Sequence, residues 1–237
     1  MAKIYCMKKS TLIYLVTVLV GFSSFRSGNN CESFFPNKIG TKWELSSYDA
    51  KDKLSSVSKS ELTALNDITG GLEATINIEV IDNKGKSMSK GDVTMKCTQD
   101  AFYMDMSNMF PTDMAGMEGV EMEITNSFME FPSNPVAGQT LADAESTMTM
   151  KMNGVALMTM TMKTTNRKIE GYESVTTPAG TYNCMKYSSD TEVKSTMFSN
   201  KSHSIMWMAK NVGTVKMESF DDKGKIESKM LLTSFSE

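Results

Sequence analysis

At 237 residues, 40% of them hydrophobic, the chain is long enough for one well-buried domain or at most two small ones. A formal net charge of -3 excludes the basic footprint that nucleic acid or an anionic membrane surface demands. The sequence has a single histidine, His203, so histidine-based triads have one candidate base and no assigned partner.

The first segment places Lys3, Lys8 and Lys9 ahead of an apolar run from Thr11 to Phe22, followed by small and polar residues through Asn30. That order predicts a secretory signal peptide over 1–24. The run is well short of the roughly 20 apolar residues that a spanning helix needs, so the processed chain is expected not to span a membrane. Losing three of 25 basic residues leaves 22 against 28 acidic ones, which makes the mature chain more acidic than the precursor. The expected destination is the periplasm, the outer-membrane surface or the medium.

Cysteine use fits export. Cys6 lies in the signal, leaving Cys31, Cys97 and Cys184. Gly28, Asn29 and Asn30 precede Cys31 and lack the aliphatic-then-small pattern that lipoprotein processing reads, so no lipid anchor is expected there. In an oxidising compartment two of the three pair, and Cys31 with Cys97 is the favoured disulfide. Cys31 opens the mature chain and would otherwise fray, while Cys97 ends a predicted strand. A loop of that length stabilises by roughly 4 kcal/mol on the chain-entropy model. Cys184, inside a predicted strand, is expected to be a buried free thiol.

From residue 31 to 237 the sequence reads as one β-rich domain. Strands are predicted at 41–48, 54–64, 72–81, 87–97, 101–107, 119–125, 145–152, 157–168, 172–177, 181–188, 190–197, 203–209, 212–220 and 225–233. Thr, Val, Ile, Tyr and Met alternate there with Ser, Lys and Glu, the pattern of antiparallel strands with one packed face, in a barrel or sandwich. One turn motif recurs three times, beginning at Asp49, Asp82 and Asp221, and each copy runs Asp-x-Lys-(Gly/Asp)-Lys or close to it. Its aspartate bonds its own backbone, and Gly or Asp accepts the left-handed position that closes a short hairpin. Alternating lysines argue against calcium there. The one helix candidate is 108–117, with Pro111 near its first turn. Phe131 to Thr140, holding Pro132, Pro135 and Gly138, reads as a connector without its own core.

Methionine marks the second half. Met148, Met150 and Met152 alternate with Thr and Lys, and Met158, Met160 and Met162 alternate with Thr, which puts each run on one strand face. Methionine is flexible, polarizable and suited to surfaces that take varied apolar partners. Whether both runs share a face depends on the parity of the loop around Asn153-Gly154. A two-residue turn would place Met150 beside Leu157 and the runs on opposite faces. An odd loop from Asn153 to Val155, with Met150 opposite Met158 and Met148 opposite Met160, is the expectation.

Several segments resemble a known family: Cys31, Phe34-Phe35-Pro36, Gly40-Thr41-Lys42-Trp43-Glu44, Ala101-Phe102-Tyr103-Met104-Asp105-Met106, Asn166-Arg167-Lys168, Thr177-Pro178-Ala179-Gly180-Thr181-Tyr182-Asn183-Cys184, and Trp207-Met208-Ala209-Lys210-Asn211-Val212-Gly213. Together they look like exported β-rich bacterial proteins catalogued as a domain of unknown function and in places labelled TapB-like. The resemblance covers nearly the whole mature chain. It implies export in a Gram-negative bacterium and an antiparallel, strongly curved sheet, half-barrel or barrel-like. It carries no activity, cofactor or catalytic residue.

The residues leave several functions open. Ser202 and Ser204 flank His203 but point away from it on a strand, so no catalytic residue is assigned and no enzyme is expected. Carboxylates such as Glu121, Glu123, Glu130, Asp143 and Glu145 are plentiful, but several alternate with apolar residues as solvent-facing positions do. Thioethers suit Cu(I), and His203, Met206 and Trp207 cluster in sequence. However, alternate residues on one strand face lie roughly 6.5–7 Å apart, too far for adjacent ones to share an ion unaided. No metal site or cofactor is therefore assigned. The leading functional reading is a binding or carrier module for an apolar, lipid-like molecule, lined by Met148, Met150, Met152, Met158, Met160 and Met162, with Met104 and Met106 from the region of the lid. The alternatives are a structural or protein-interaction module of the envelope and, third, a methionine-based copper binder. The bland reading, that these methionines only fill a core, stands beside all of them.

Overall fold

The computed structural model describes residues 33–106, 120–125 and 128–237, and among them every regular element is a β-strand. The predicted signal peptide, Cys31 and the predicted helix at 108–117 lie outside the described residues. The strands are β1 (Lys42–Asp49), β2 (Leu54–Ile68), β3 (Gly71–Asp82), β4 (Ser87–Thr98), β5 (Ala101–Asp105), β6 (Val120–Thr125), β7 (Phe128–Pro132), β8 (Ala144–Met152), β9 (Val155–Thr177), β10 (Gly180–Ser195), β11 (Ser199–Ala209), β12 (Gly213–Phe220) and β13 (Ile226–Ser236).

Two differences from the sequence reading have physical causes. The breaks expected near 169–171 and at 189 do not occur, and β9 and β10 run through them. The β9–β10 ladder absorbs the misfit residues as register shifts between Lys186 and Tyr187 and between Ser188 and Asp190. At the second shift Asn166 takes a left-handed φ of 50°, a conformation that asparagine tolerates better than most residues. The predicted connector starting at Phe131 is in fact partly strand β7, and Phe131 is fully buried. Five residues ending in a proline give little periodicity to read, and proline is tolerated because β7 is an edge strand.

All 13 strands form one antiparallel sheet in the order β6-β8-β9-β10-β11-β12-β13-β1-β2-β3-β4-β5-β7. Its edges, β6 and β7, are consecutive in the chain, so Thr125 and Phe128 are separated by two residues only. Laid flat, 13 strands would hold their edges almost 60 Å apart, whereas three residue steps span about 11 Å at most. The sheet must therefore curl round on itself, although the hydrogen-bond ladder does not run from β6 to β7. The expected antiparallel, strongly curved architecture is what forms.

The interior is packed from both ends. The segment before β1 contributes Phe34 and Phe35, which meet Phe102 of β5 at ring-centroid distances of 5.9 and 6.0 Å. Phe102 touches Phe131 of β7 at 5.9 Å, and Phe131 meets Tyr187 of β10 edge-on at 5.0 Å. Trp43, Leu62, Ile76, Val215 and Leu232 extend this cluster towards the middle of the sheet. The three repeated turns share one geometry. Asp49, Asp82 and Asp221 each accept two backbone N–H groups through Oδ1, at 2.8–3.0 Å. The left-handed position falls on Asp52, Gly85 and Gly224, with φ of 62°, 83° and 76°.

Candidate functional site

The methionine runs come together on one face. Met150 stands opposite Met158, and Met148 opposite Met160. The route differs from the expected odd loop. Asn153 and Gly154, with φ of 51° and 75°, form a two-residue turn that pairs Met152 with Val155. The extra residue is supplied within β9: the register shifts between Met150 and Lys151, leaving Leu157 unpaired in a bulge. Leu157 is accordingly 53% exposed, and the β9 methionines after it, Met158, Met160 and Met162, turn to the inner face.

Inside, these side chains are packed. Met148, Met150, Met160 and Met162 are 0–4% exposed and belong to the same cluster as Phe102, Phe131 and Tyr187. Met104 and Met106 join them from β5 and the residue just after it, while Met152 and Met158 are half-buried nearer the hairpin tip. Clefts of about 370, 520, 600 and 720 Å³ lie on the described residues, and none of these is lined by any of the eight methionines.

The edge strand β7 is tied across to β9 by Arg167, a residue to which the sequence alone assigns no role. Its side chain is buried and all three guanidinium nitrogens donate. Nε donates to Tyr187 Oη at 3.0 Å, one terminal nitrogen to the Ala142 carbonyl at 2.6 Å, and the other to the Glu130 carbonyl of β7 at 2.5 Å. The guanidinium also lies 5.0 Å from the Phe131 ring centre. A planar, permanently charged group with five fixed donors can tie three elements in this way where a lysine cannot. Backbone bonds from Gly138 to Ile169, from Ile169 to Gln139 and from Leu141 to Arg167 fix the following segment onto the same strand.

A second constellation lies on the opposite face of β9, β10 and β11. His203 Nδ1 is 2.7 Å from Asp190 Oδ1, and Asn166 Nδ2 donates to Asp190 Oδ2 at 2.7 Å. The Asn166 hydrogen bond, followed by that of His203, holds the Asp190 carboxyl below the usual aspartate range. Phe220 of β12 lies against the imidazole at 6.0 Å. These residues border a cleft of about 720 Å³. No separation in the sequence links Asp190 to His203; the β10–β11 register does. The sequence grouping of His203, Met206 and Trp207 comes apart, because Met206 falls on the other face of β11. Ser204 likewise turns away, to Ser189 at 3.2 Å.

Cys184 is completely buried, and burial pushes its thiol up to about 11. It is the free cysteine among the described residues, whereas Cys97 is disulfide-bonded. The partner expected for Cys97, Cys31, lies outside the described residues.

The profile of the DUF3108-like family matches residues 38–232. The chain belongs to the DUF3108-like family. That match does not carry the TapB-like label. Two crystal structures share the fold over 87% of this chain and 100% of their own. One is a protein from Bacteroides fragilis provisionally described as exported, with a YmcC-like fold, at 25% identity and a TM-score of 0.72. The other is provisionally described as a lipoprotein, from Parabacteroides distasonis, at 26% identity and a TM-score of 0.73. No curated protein matches the chain.

Proposed function

We propose that this DUF3108-like protein is an exported, non-enzymatic interaction module of the cell envelope, whose methionine face serves as packing. The near-complete burial of Met148, Met150, Met160 and Met162 carries this reading, since an apolar ligand would have to displace them. Export is supported by the signal-like first segment and by the descriptions of the two structural relatives. The contact surface sits on two neighbouring hairpin tips. Val155 and Leu157 on β8–β9, with Met197 and Phe198 on β10–β11, are 45–78% exposed at the same end of the sheet.

A second reading, a carrier of a lipid-like molecule, is favoured by the unclosed ladder between β6 and β7, where the curled sheet can part without breaking a strand pair. Native mass spectrometry of the mature protein, purified from its host envelope, separates the two. Protein free of small molecules supports the interaction module. Stoichiometric lipid overturns it in favour of the carrier, and bound copper overturns both.

A further inference from the structure

We infer that the cleft bordered by His203, Asp190 and Phe220 is a binding site for a neutral, hydroxyl-rich ligand of the size of a sugar ring. The proposal is independent of the role of the methionine face. A volume of about 720 Å³ is in the range of small-molecule sites. The polar part is pre-set by three strands. Asn166, turned out by its left-handed backbone at the β9 bulge, fixes one oxygen of Asp190, and the other oxygen fixes the imidazole. With Nδ1 engaged, Nε2 is the ring atom left to meet a ligand. Groups held in this way lose little freedom on binding.

The lining also selects the ligand's chemistry by exclusion. Asp190, Glu192, Asp221 and Asp222 outnumber the lysines at the cleft, Lys163 and Lys201, which disfavours phosphate or another compact anion. The described residues hold no cluster of three His, Cys, Asp or Glu side chains able to take a cation. Phe220 and Ile205 add an apolar wall beside these polar groups. A ligand with hydroxyls around its rim and a C–H face for the Phe220 ring satisfies all of these; an anionic or wholly apolar one does not.

The test uses the fact that His203 is the only histidine, so its imidazole NMR signals report this site alone. The probes are the methyl glycosides of glucose, galactose and mannose, and N-acetylglucosamine, at up to about 50 mM, well above the millimolar affinity of a weak site. Inorganic phosphate serves as the charged control and hexane-1,6-diol as a flexible control with an alkyl chain and only two hydroxyls. At least one sugar is expected to shift the signals saturably while neither control does. Asp190→Asn and Phe220→Leu, the latter keeping apolar bulk without a flat ring, are each expected to weaken that sugar about tenfold with the fold intact by circular dichroism. The proposal is overturned if no sugar gives a saturable shift, if phosphate or the diol shifts the signals equally, or if folded Phe220→Leu binds like the wild type. Should Phe220→Leu not fold, the sugar-against-control comparison in the wild type decides alone.

Discussion

Met150 of β8 stands directly opposite Met158 of β9, although the turn between the two strands holds only Asn153 and Gly154. An unbroken hairpin with that turn would put Leu157 in the place of Met158 and send the second methionine run to the outer face. The bulge at Leu157 restores the parity, and burying the second run, Met160 and Met162 fully and Met158 partly, outweighs the loss of one ladder step. Full burial of a methionine is worth about 1.5–3 kcal/mol, against about 1 kcal/mol for a backbone hydrogen bond.

Deleting Leu157 should therefore be tolerated. The shortened hairpin becomes regular, with Met152 opposite Val155 and Met150 still opposite Met158. Its stability is expected to stay within about 1 kcal/mol of the wild type, as for changes at exposed sites. Met150→Ala, by contrast, leaves a cavity and is expected to cost about 2–5 kcal/mol, while Met150→Leu costs less than about 1.5 kcal/mol. Urea unfolding of the three variants checks the order. A Leu157 deletion as damaging as Met150→Ala would contradict the parity account.

Arg167 of β9 ties the edge strand β7 to β10 and to the segment before β8 through Tyr187 and the Glu130 and Ala142 carbonyls. Arg167→Met should destabilise by about 3 kcal/mol or more, since it removes bonds from a charged donor and strands buried acceptors. Arg167→Lys should not rescue, because an ammonium lacks the planar fork. Tyr187→Phe removes one of these bonds and should cost about 1 kcal/mol. Hydrogen exchange should show β7 and the segment at 136–143 losing protection first in Arg167→Met; uniform loss over the sheet would refute the clasp.

The repeated turns offer a local test. Asp82 Oδ1 accepts the N–H groups of Lys84 and Lys86, each at 2.8 Å. Asp82→Ala should lower stability by about 1 kcal/mol, the usual cost of an exposed capping carboxylate. Asp82→Asn, which keeps the acceptor, should recover most of it. Thermal melts of both variants decide, and equal losses would mean that charge rather than hydrogen bonding matters.

The thiols give a pH prediction. Cys184 is neutral and buried, with its pKa raised from an ordinary 9.0 to about 11. A group raised in the folded state contributes stability that is complete below its unfolded pKa and is lost as pH rises towards the folded one. Stability should thus fall between about pH 9 and 11 by a margin on the order of 2 kcal/mol that Cys184→Ala does not show. Ellman titration of the mature protein should give no reactive thiol in the native state and one after unfolding without reductant. Three after unfolding would remove the proposed Cys31–Cys97 disulfide.

The strand–turn alternation, the three Asp-Lys turns and the inward methionine pattern were legible because each depends on spacings of two to five residues. Asp82 and Lys86 meet through the geometry of one turn, whatever surrounds it. Strand β7 was not legible, because Phe128 to Pro132 is too short to show a period and lies in the strand layer only through its partner β5.

The sequence by itself determined an all-β antiparallel protein, a signal-like first segment and two methionine faces. All of these follow from local chemistry: side-chain alternation, turn residues and the length of an apolar run. Tertiary structure alone decided that the two faces coincide, that β6 and β7 bring the ends of the sheet together, and that Arg167 reaches the Glu130 carbonyl while His203 reaches Asp190. The physical reason is common to all four. Each depends on strand register or on how the sheet closes rather than on local spacing, and one bulge, such as that at Leu157, moves a side chain to the other face of the sheet.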